Sequence, residues 1–386
     1  MVERYRYMGQ PMLSRSAPAI TDVFGVIDGL DVPSSTRPFW GGSSIRKVMS
    51  APPAIRPTQR HLLYIDDITA APVHSPNDGP ISCRHRQGEA VTNPALWCFF
   101  SDGIAVSGNG MLWIGDDVLA IPDLMPSYWR DRVSGASKES TPEIDVFLPT
   151  RMIDGPCISA LGWGGKIYGH VLLEMIPRVI LALKICAELK PKVLLRSDTP
   201  KWLQDILLTI GIDGSRIEWF EPSQERVLLS NGIYPGYPGT HPVLADLFDT
   251  VDTGPAKPRK GFYYLTRKAF LHRRGCTNEA NLERIAREEY GAIVVAPEDL
   301  PWIEQVRLFR SARAVISLYG SALHTALLSD GGLTVASIGV INVMQSSIAN
   351  IRGQRLAYQV AGFTVTNSYA VPEDGFRQLM DAIVTA

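Results

Sequence analysis

The residues most able to do chemistry fall in three clusters. The first is Tyr168-Gly169-His170-Val171-Leu172-Leu173-Glu174-Met175-Ile176-Pro177-Arg178. Positions four apart share a helix face, so His170, Glu174 and Arg178 form one polar stripe on an otherwise apolar helix. Burying three ionisable groups costs free energy unless they pair or face a cleft. His170 could then act as general base or hydrogen-bond a substrate, Glu174 could orient it, and Arg178 could reach an anion. A plain intrahelical Glu174–Arg178 pair beside a satisfied histidine fits the spacing too. Pro177 has no N–H and clashes with the carbonyl of Leu173, so a kink is expected.

The second cluster runs Arg267-Lys268, His272-Arg273-Arg274 and Asn278-Glu279. Arg267 follows a predicted strand, where ligands sit in open α/β sheets. Its planar fork suits a phosphate. Glu279 falls in the first turn of the next helix, and a solvated basic loop is the plain alternative. In the third cluster, AVISLYGSALHTALL (314–328), an apolar strand runs through Tyr319-Gly320-Ser321-Ala322 into a helix. Gly320 allows close backbone approach, and the N–H groups at the helix start suit a diphosphate. The pattern is neither G-x-G-x-x-G nor a nucleophile elbow. His324 reads as a packed histidine.

The elements that must carry these residues are legible in outline. Residues 1–57 are rich in Pro, Ser and Arg and read as an extended N-terminal arm. From His61 to Pro149 the signals are β. HLLYID and ALWCFF read as strands, and DGIAVSGNGMLWIG as a hairpin turning at Asn109-Gly110. After Cys157, helix and strand alternate. Helices are predicted over 168–189, 199–210, 278–290, 301–311, 321–328 and the last residues, and strands over 192–196, 217–220, 262–266, 292–296, 314–318 and 333–339. This alternation signals parallel sheets flanked by helices. The domains expected are a β-rich plus Rossmann-like part at 58–250, a linker at 251–260 and a second Rossmann-like domain at 261–386, with a ligand cleft between the halves.

Composition narrows the class. The 386 residues carry a formal net charge of −1, so no global attraction to nucleic acid or an anionic membrane is expected. Five cysteines at wide spacing suggest free thiols in a reducing compartment. The start of the chain lacks the apolar core of a secretory signal. The apolar stretch 171–189 is interrupted by Glu174, Pro177, Arg178 and Lys184, which disqualifies it as a membrane span. A cytoplasmic protein with at most peripheral membrane contact is expected. Asp66-Asp67 and Asp116-Asp117 read as turn residues.

Taken in order, the clusters resemble family 61 glycosyltransferases. The family pattern Tyr-Tyr-His-Trp-Leu-Leu-Glu-x-x-Pro-Arg is similar to YGHVLLEMIPR, which keeps His170, Glu174, Pro177 and Arg178. Thr266-Arg267, Arg273 or Arg274, Asn278-Glu279, Pro297-Glu298 and Glu304-Gln305-Val306 resemble the motifs that follow. The family's His-Gly-Ala-x-Leu resembles Tyr319-Gly320-Ser321-Ala322-Leu323, with tyrosine where the family usually has histidine.

The resemblance covers about residues 155–340. It implies a GT-B-like α/β fold with two Rossmann-like domains facing a cleft, inversion at the anomeric carbon, and a nucleotide-sugar donor, typically a UDP-sugar. It implies a glycan, lipid-linked or protein hydroxyl as acceptor, and a role in surface polysaccharide such as capsule. His170 and Glu174 are then the catalytic candidates. Arg178, Arg267, Arg273, Asn278, Glu279, Glu298, Tyr319, Gly320, Ser321 and Ala322 are the donor-binding candidates. With no Asp-x-Asp motif in the donor region, no divalent metal or other cofactor is expected. A sugar-nucleotide epimerase, or an inactive homologue that binds nucleotide-sugar or glycan, is the alternative reading.

Overall fold

The computed structural model describes residues 44–49, 62–65, 96–101, 103–108, 110–114, 117–119, 145, 147–160, 165–237, 243–255, 258–273, 275–339, 343–360 and 369–385. The N-terminal arm, apart from 44–49, lies outside them, as do Asn109, Asp66, Asp67, Asp116 and Arg274. The chain forms two compact units, Met1–Pro52 with Pro94–Gly239, and Pro53–Asn93 with Thr240–Ala386.

Strands are numbered along the chain. The first unit holds β1 (Ser44–Met49), β3 (Leu96–Ser101), β4 (Ile104–Ser107), β5 (Met111–Ile114), β6 (Asp117–Leu119), β7 (Thr150–Ile158), β8 (Lys192–Arg196), β9 (Ile217–Phe220) and β10 (Arg226–Pro235). They make one sheet in the order β6-β5-β4-β10-β7-β8-β9, with β3 also on β10 and β1 on β3. The expected hairpin is β4–β5, paired antiparallel from Ala105↔Trp113 to Ser107↔Met111. β10, β7, β8 and β9 run parallel. The chain steps from β7 outward through β8 to β9 and returns to β10 on the other side of β7. The order therefore reverses between β7 and β10, which is where open α/β sheets leave a crevice at their carboxyl ends.

Helix α1 follows β7 in three pieces, Tyr168–His170, Val171–Met175 and Ile176–Ile185. The middle piece is a π turn, with the Ile176 N–H reaching back to Val171 O. It precedes Pro177, which sits at the start of the last piece, where first-turn N–H groups need no earlier carbonyl. The expected kink is thus a change of helical register. Helix α2 (Lys201–Thr209) ends at Gly211, whose φ of 87° suits the left-handed residue that closes a helix.

The longer segment of the second unit runs from helix α3 (Val243–Asp249) through β11 (Phe262–Leu265), α4 (Glu279–Glu288), β12 (Ile293–Val295), α5 (Trp302–Ser311), β13 (Ala314–Leu318), β14 (Thr334–Gly339), α6 (Val343–Arg352), β15 (Arg355–Val360) and α7 (Glu373–Thr385). Ser321–Leu328, expected as a helix, is a 3₁₀ run. The sheet order is β12-β11-β13-β14-β15-β2, parallel throughout, where β2 is Leu62–Ile65. The strand predicted at HLLYID therefore belongs to this unit, although its position in the chain suggested the β-rich part. β13 and β14 are buried along their whole length, as central parallel strands must be. On one side α4 and α7 pack through Leu282, Ile285, Phe376, Leu379, Met380 and Ile383 in one cluster with Tyr264 and Ile316. Each such buried side chain contributes about 1.5–3 kcal/mol.

Residues 251–260, expected as a linker, lie inside the second unit in this division. Val251 and Thr253 are buried, and the Arg307 Nε–H donates to Thr253 O at 3.0 Å. Among the described residues, no helix is long and apolar enough to cross a membrane.

Candidate functional site

In the first unit the polar stripe lands at the β7/β10 reversal. His170 Nδ1 lies 2.6 Å from Glu174 Oε1, one helical turn on. With that nitrogen donating its proton to the carboxylate, Nε2 becomes the ring's proton-accepting atom. Glu174 is buried, while the His170 side chain keeps about a quarter of its surface exposed. The Tyr237 hydroxyl, just beyond β10, lies in the neighbourhood of the Glu174 carboxylate. Burial, reinforced by the neighbouring Glu174 carboxylate, pushes the Tyr237 phenol well above its ordinary range.

Arg178 is buried one turn further along. Its Nε–H donates to Pro235 O at 2.8 Å and its Nη1 to Ala160 O at 3.3 Å. It thereby ties the ends of β10 and β7 together. Around the mouth, Lys166 Nζ lies 2.8 Å from Asp198, which also takes a two-pronged bond from Arg196. Those cations hold the Asp198 carboxyl down at about 2. Tyr168 meets Trp202 edge-on, with ring centroids 5.7 Å apart.

The second unit repeats the arrangement. β11 is followed outward by β12 on one side, while β13, β14 and β15 lie on the other. The reversal falls between β11 and β13, and the second and third clusters meet there. The Arg267 guanidinium donates through Nη1 to Tyr319 O. A Cβ on Gly320 would stand 2.8 Å from that Nη1, so a larger residue here would push the end of the Arg267 side chain back. The Arg267 backbone N–H donates to Glu279 Oε1 at 2.7 Å. Gly339, at the end of β14, has a φ of 117°, and a Cβ there would meet the Tyr369 hydroxyl and the Tyr319 Cβ. Ser321 and Ala322 open the 3₁₀ run and are half-buried. Glu298 is exposed in the turn after β12.

Several residues expected to face a donor also make contacts within the fold. Asn278 spends its side chain on Val371, donating to the carbonyl at 2.7 Å and accepting from the N–H at 3.0 Å. Glu279 is buried, and burial raises its carboxyl above the ordinary value. Its Oε2 and the buried Tyr264 hydroxyl have no hydrogen-bond partner among the described residues. Glu283, one turn on, takes Thr266 Oγ1 and Lys268 Nζ, each at 2.5 Å. Arg178 likewise engages backbone carbonyls. The Arg273 side chain lies outside the described residues. Tyr237 escaped the sequence reading because it sits in GIYPGYPGTHP, read only as turns; an aromatic directly after a strand was the available signal. Among the described residues, no group of three or more His, Cys, Asp or Glu side chains is placed to hold a metal ion.

The family model for Glycosyltransferase 61 matches residues 168–336, from the start of α1 into β14. The match spans all three clusters and supports assigning the chain to that family, and with it a glycosyltransferase. The mixed α/β architecture with two parallel-rich sheets is compatible with the Rossmann-like fold expected. No curated protein matches the chain.

Proposed function

We propose that this is an inverting, GT-B-like glycosyltransferase that moves a sugar from a nucleotide-sugar, a UDP-sugar first, to a hydroxyl of a glycan, lipid-linked or protein acceptor. The setting proposed is cytoplasmic synthesis of a surface polysaccharide. The observation that carries the reading is the His170–Glu174 pair at a strand-order reversal.

In this reading His170 Nε2 takes the proton of the acceptor hydroxyl. The oxygen bonds to the anomeric carbon from the face opposite the diphosphate, whose bond to that carbon breaks and whose oxygen leaves with the electron pair. Glu174 keeps the imidazole in the required tautomer and stabilises the imidazolium that forms. Positive charge must meet the leaving group. Arg267 suits that task, because its planar guanidinium, held at the end of β11, matches the geometry of a phosphate. The amides of Ser321 and Ala322 add donors at the first turn of their helix.

The test is nucleotide release from UDP-, GDP-, dTDP- and CMP-sugars with candidate acceptors, and the anomeric configuration of the product by NMR. UDP release with inversion supports the reading. Retention of configuration overturns the single-displacement chemistry. A second reading, a homologue that binds nucleotide-sugar without turnover, is favoured by Tyr319 at the position where the resemblance leads one to expect histidine. Binding of UDP with no release across acceptors would support it.

A further inference from the structure

We infer that Glu283 is a positioning residue for Arg267: it grips the residues on either side, Thr266 and Lys268, and so sets where the guanidinium stands. The inference deepens the transferase reading, on which its purpose rests. Glu283 is buried on α4, and both its oxygens are taken by one short stretch of chain. Thr266 Oγ1 donates to Oε1 and the Lys268 ammonium to Oε2, each at 2.5 Å. The Thr266 hydroxyl in turn accepts from the Lys268 N–H at 3.3 Å. Between these two residues, the Arg267 N–H donates at 2.7 Å to Glu279 Oε1, one turn earlier on the same helix face.

Burying a carboxylate costs free energy even when it is paired, and an apolar side chain of like volume would spare that cost. What the carboxylate adds is direction. The Thr266 N–H still donates to Val295 O on β12 at 2.9 Å, while Arg267 O accepts from the Phe270 N–H at 2.8 Å. The chain thus changes from strand ladder to 3₁₀ turn at Arg267 itself, and the direction of its side chain depends on how the flanking residues are held. Successive side chains of an extended chain alternate. With Thr266 turned toward α4, Arg267 is turned the other way, and its Nη1 donates to Tyr319 O.

Two readouts on the full chain test this. One is UDP affinity by calorimetric titration. The other is water exchange of the Arg267 guanidinium protons by NMR, with Arg267→Ala to assign the signals. In Glu283→Gln the amide carbonyl can still serve Thr266, but its N–H groups face the Lys268 ammonium. The variant should bind UDP about five- to tenfold more weakly and exchange the Arg267 protons faster. In the Arg267→Ala background the same substitution should leave UDP affinity unchanged, because it acts only through the guanidinium. Equal losses in both backgrounds, as a merely structural role would give, overturn the inference. Wild-type affinity or wild-type exchange in a folded Glu283→Gln does so too. If Glu283→Gln loses its thermal transition, Thr266→Val and Thr266→Ser replace it. The valine removes the hydroxyl and should weaken binding, the serine should keep it, and equal affinities overturn the inference. Failure of the wild-type chain to bind UDP would instead sink the transferase reading, and the exchange readout then decides the positioning alone.

Discussion

One N–H of the Arg267 guanidinium donates to the carbonyl of Tyr319, joining the carboxyl end of β11 to that of β13. Arg178 does the corresponding work in the first unit, bridging Pro235 O and Ala160 O. In both units an arginine clasps the two strand ends that flank the reversal of strand order. These are the points at which the fold leaves a crevice.

The clasp couples Gly320 to Arg267. Arg267→Ala should weaken binding of a nucleoside diphosphate by about 1.5–3 kcal/mol. Gly320→Ala should cause a smaller loss, because its Cβ would stand 2.8 Å from Nη1 and shift the guanidinium without removing it. Since both act on one contact, the double variant should fall short of the sum. Calorimetric titration with UDP checks all three, and full additivity would show that the two residues act separately.

His170→Ala should lower transfer by on the order of 10²-fold, with donor affinity unchanged. Glu174→Gln should lower it by about tenfold or more, since the amide cannot stabilise an imidazolium as a carboxylate does. Single-turnover rates with saturating donor separate these from binding effects. Near-wild-type rates in His170→Ala would remove it as base.

Asn278→Ala should cost about 2–3 kcal/mol of stability, because the buried Val371 would lose partners for both its N–H and its carbonyl. Donor affinity of the folded variant should match wild type. A clear loss of nucleotide binding without loss of stability would instead support Asn278 as a donor-binding residue.

Glu279 gives a pH dependence. Burial is the largest influence on it and raises its carboxyl above the ordinary 4.5. The unfolded chain therefore releases this proton first as pH rises, and ionisation costs the folded state stability above that value. Below it the cost is absent. Glu279→Gln keeps an oxygen for the Arg267 N–H and removes the charge. It should be at least as stable as wild type at pH 7, with the difference shrinking toward zero below about pH 4. Urea unfolding at several pH values reads this directly, and a variant less stable at pH 7 than at pH 4, relative to wild type, would contradict it.

Local signals made much of this legible. The period of Phe376, Leu379, Met380 and Ile383 gave the last helix, and the unbroken apolar run AVISL gave β13. What failed was local signal that tertiary context reverses. β10 ends in Gly232 and Pro235, residues that punctuate turns elsewhere. Here the strand is paired on both sides, to β7 and to β3 and β4, and tolerates proline only at its last position. Asn278 and Glu279 entered as donor-binding candidates through the family's Asn-Glu pair, and their contacts within the fold were not legible. Their partners, Val371 and the Arg267 amide, lie far along the chain or on the backbone, where spacing carries no information. The His170–Glu174 contact was legible because both residues ride one helix. The approach of Tyr237 to Glu174 was not, because a strand return brings it there.

The pairing of β2 with β15, Leu62 opposite Leu356, has a consequence for synthesis. The outermost rail of the second sheet emerges from the ribosome early and its neighbour almost last, so the loop that closes between them spans most of the chain. Until it closes, the flank of β15 carries a row of unmet N–H and carbonyl groups, a template for any extended peptide nearby. A chain shortened to begin after residue 93 would keep that template permanently and should self-associate through it, whatever happens to its catalytic machinery.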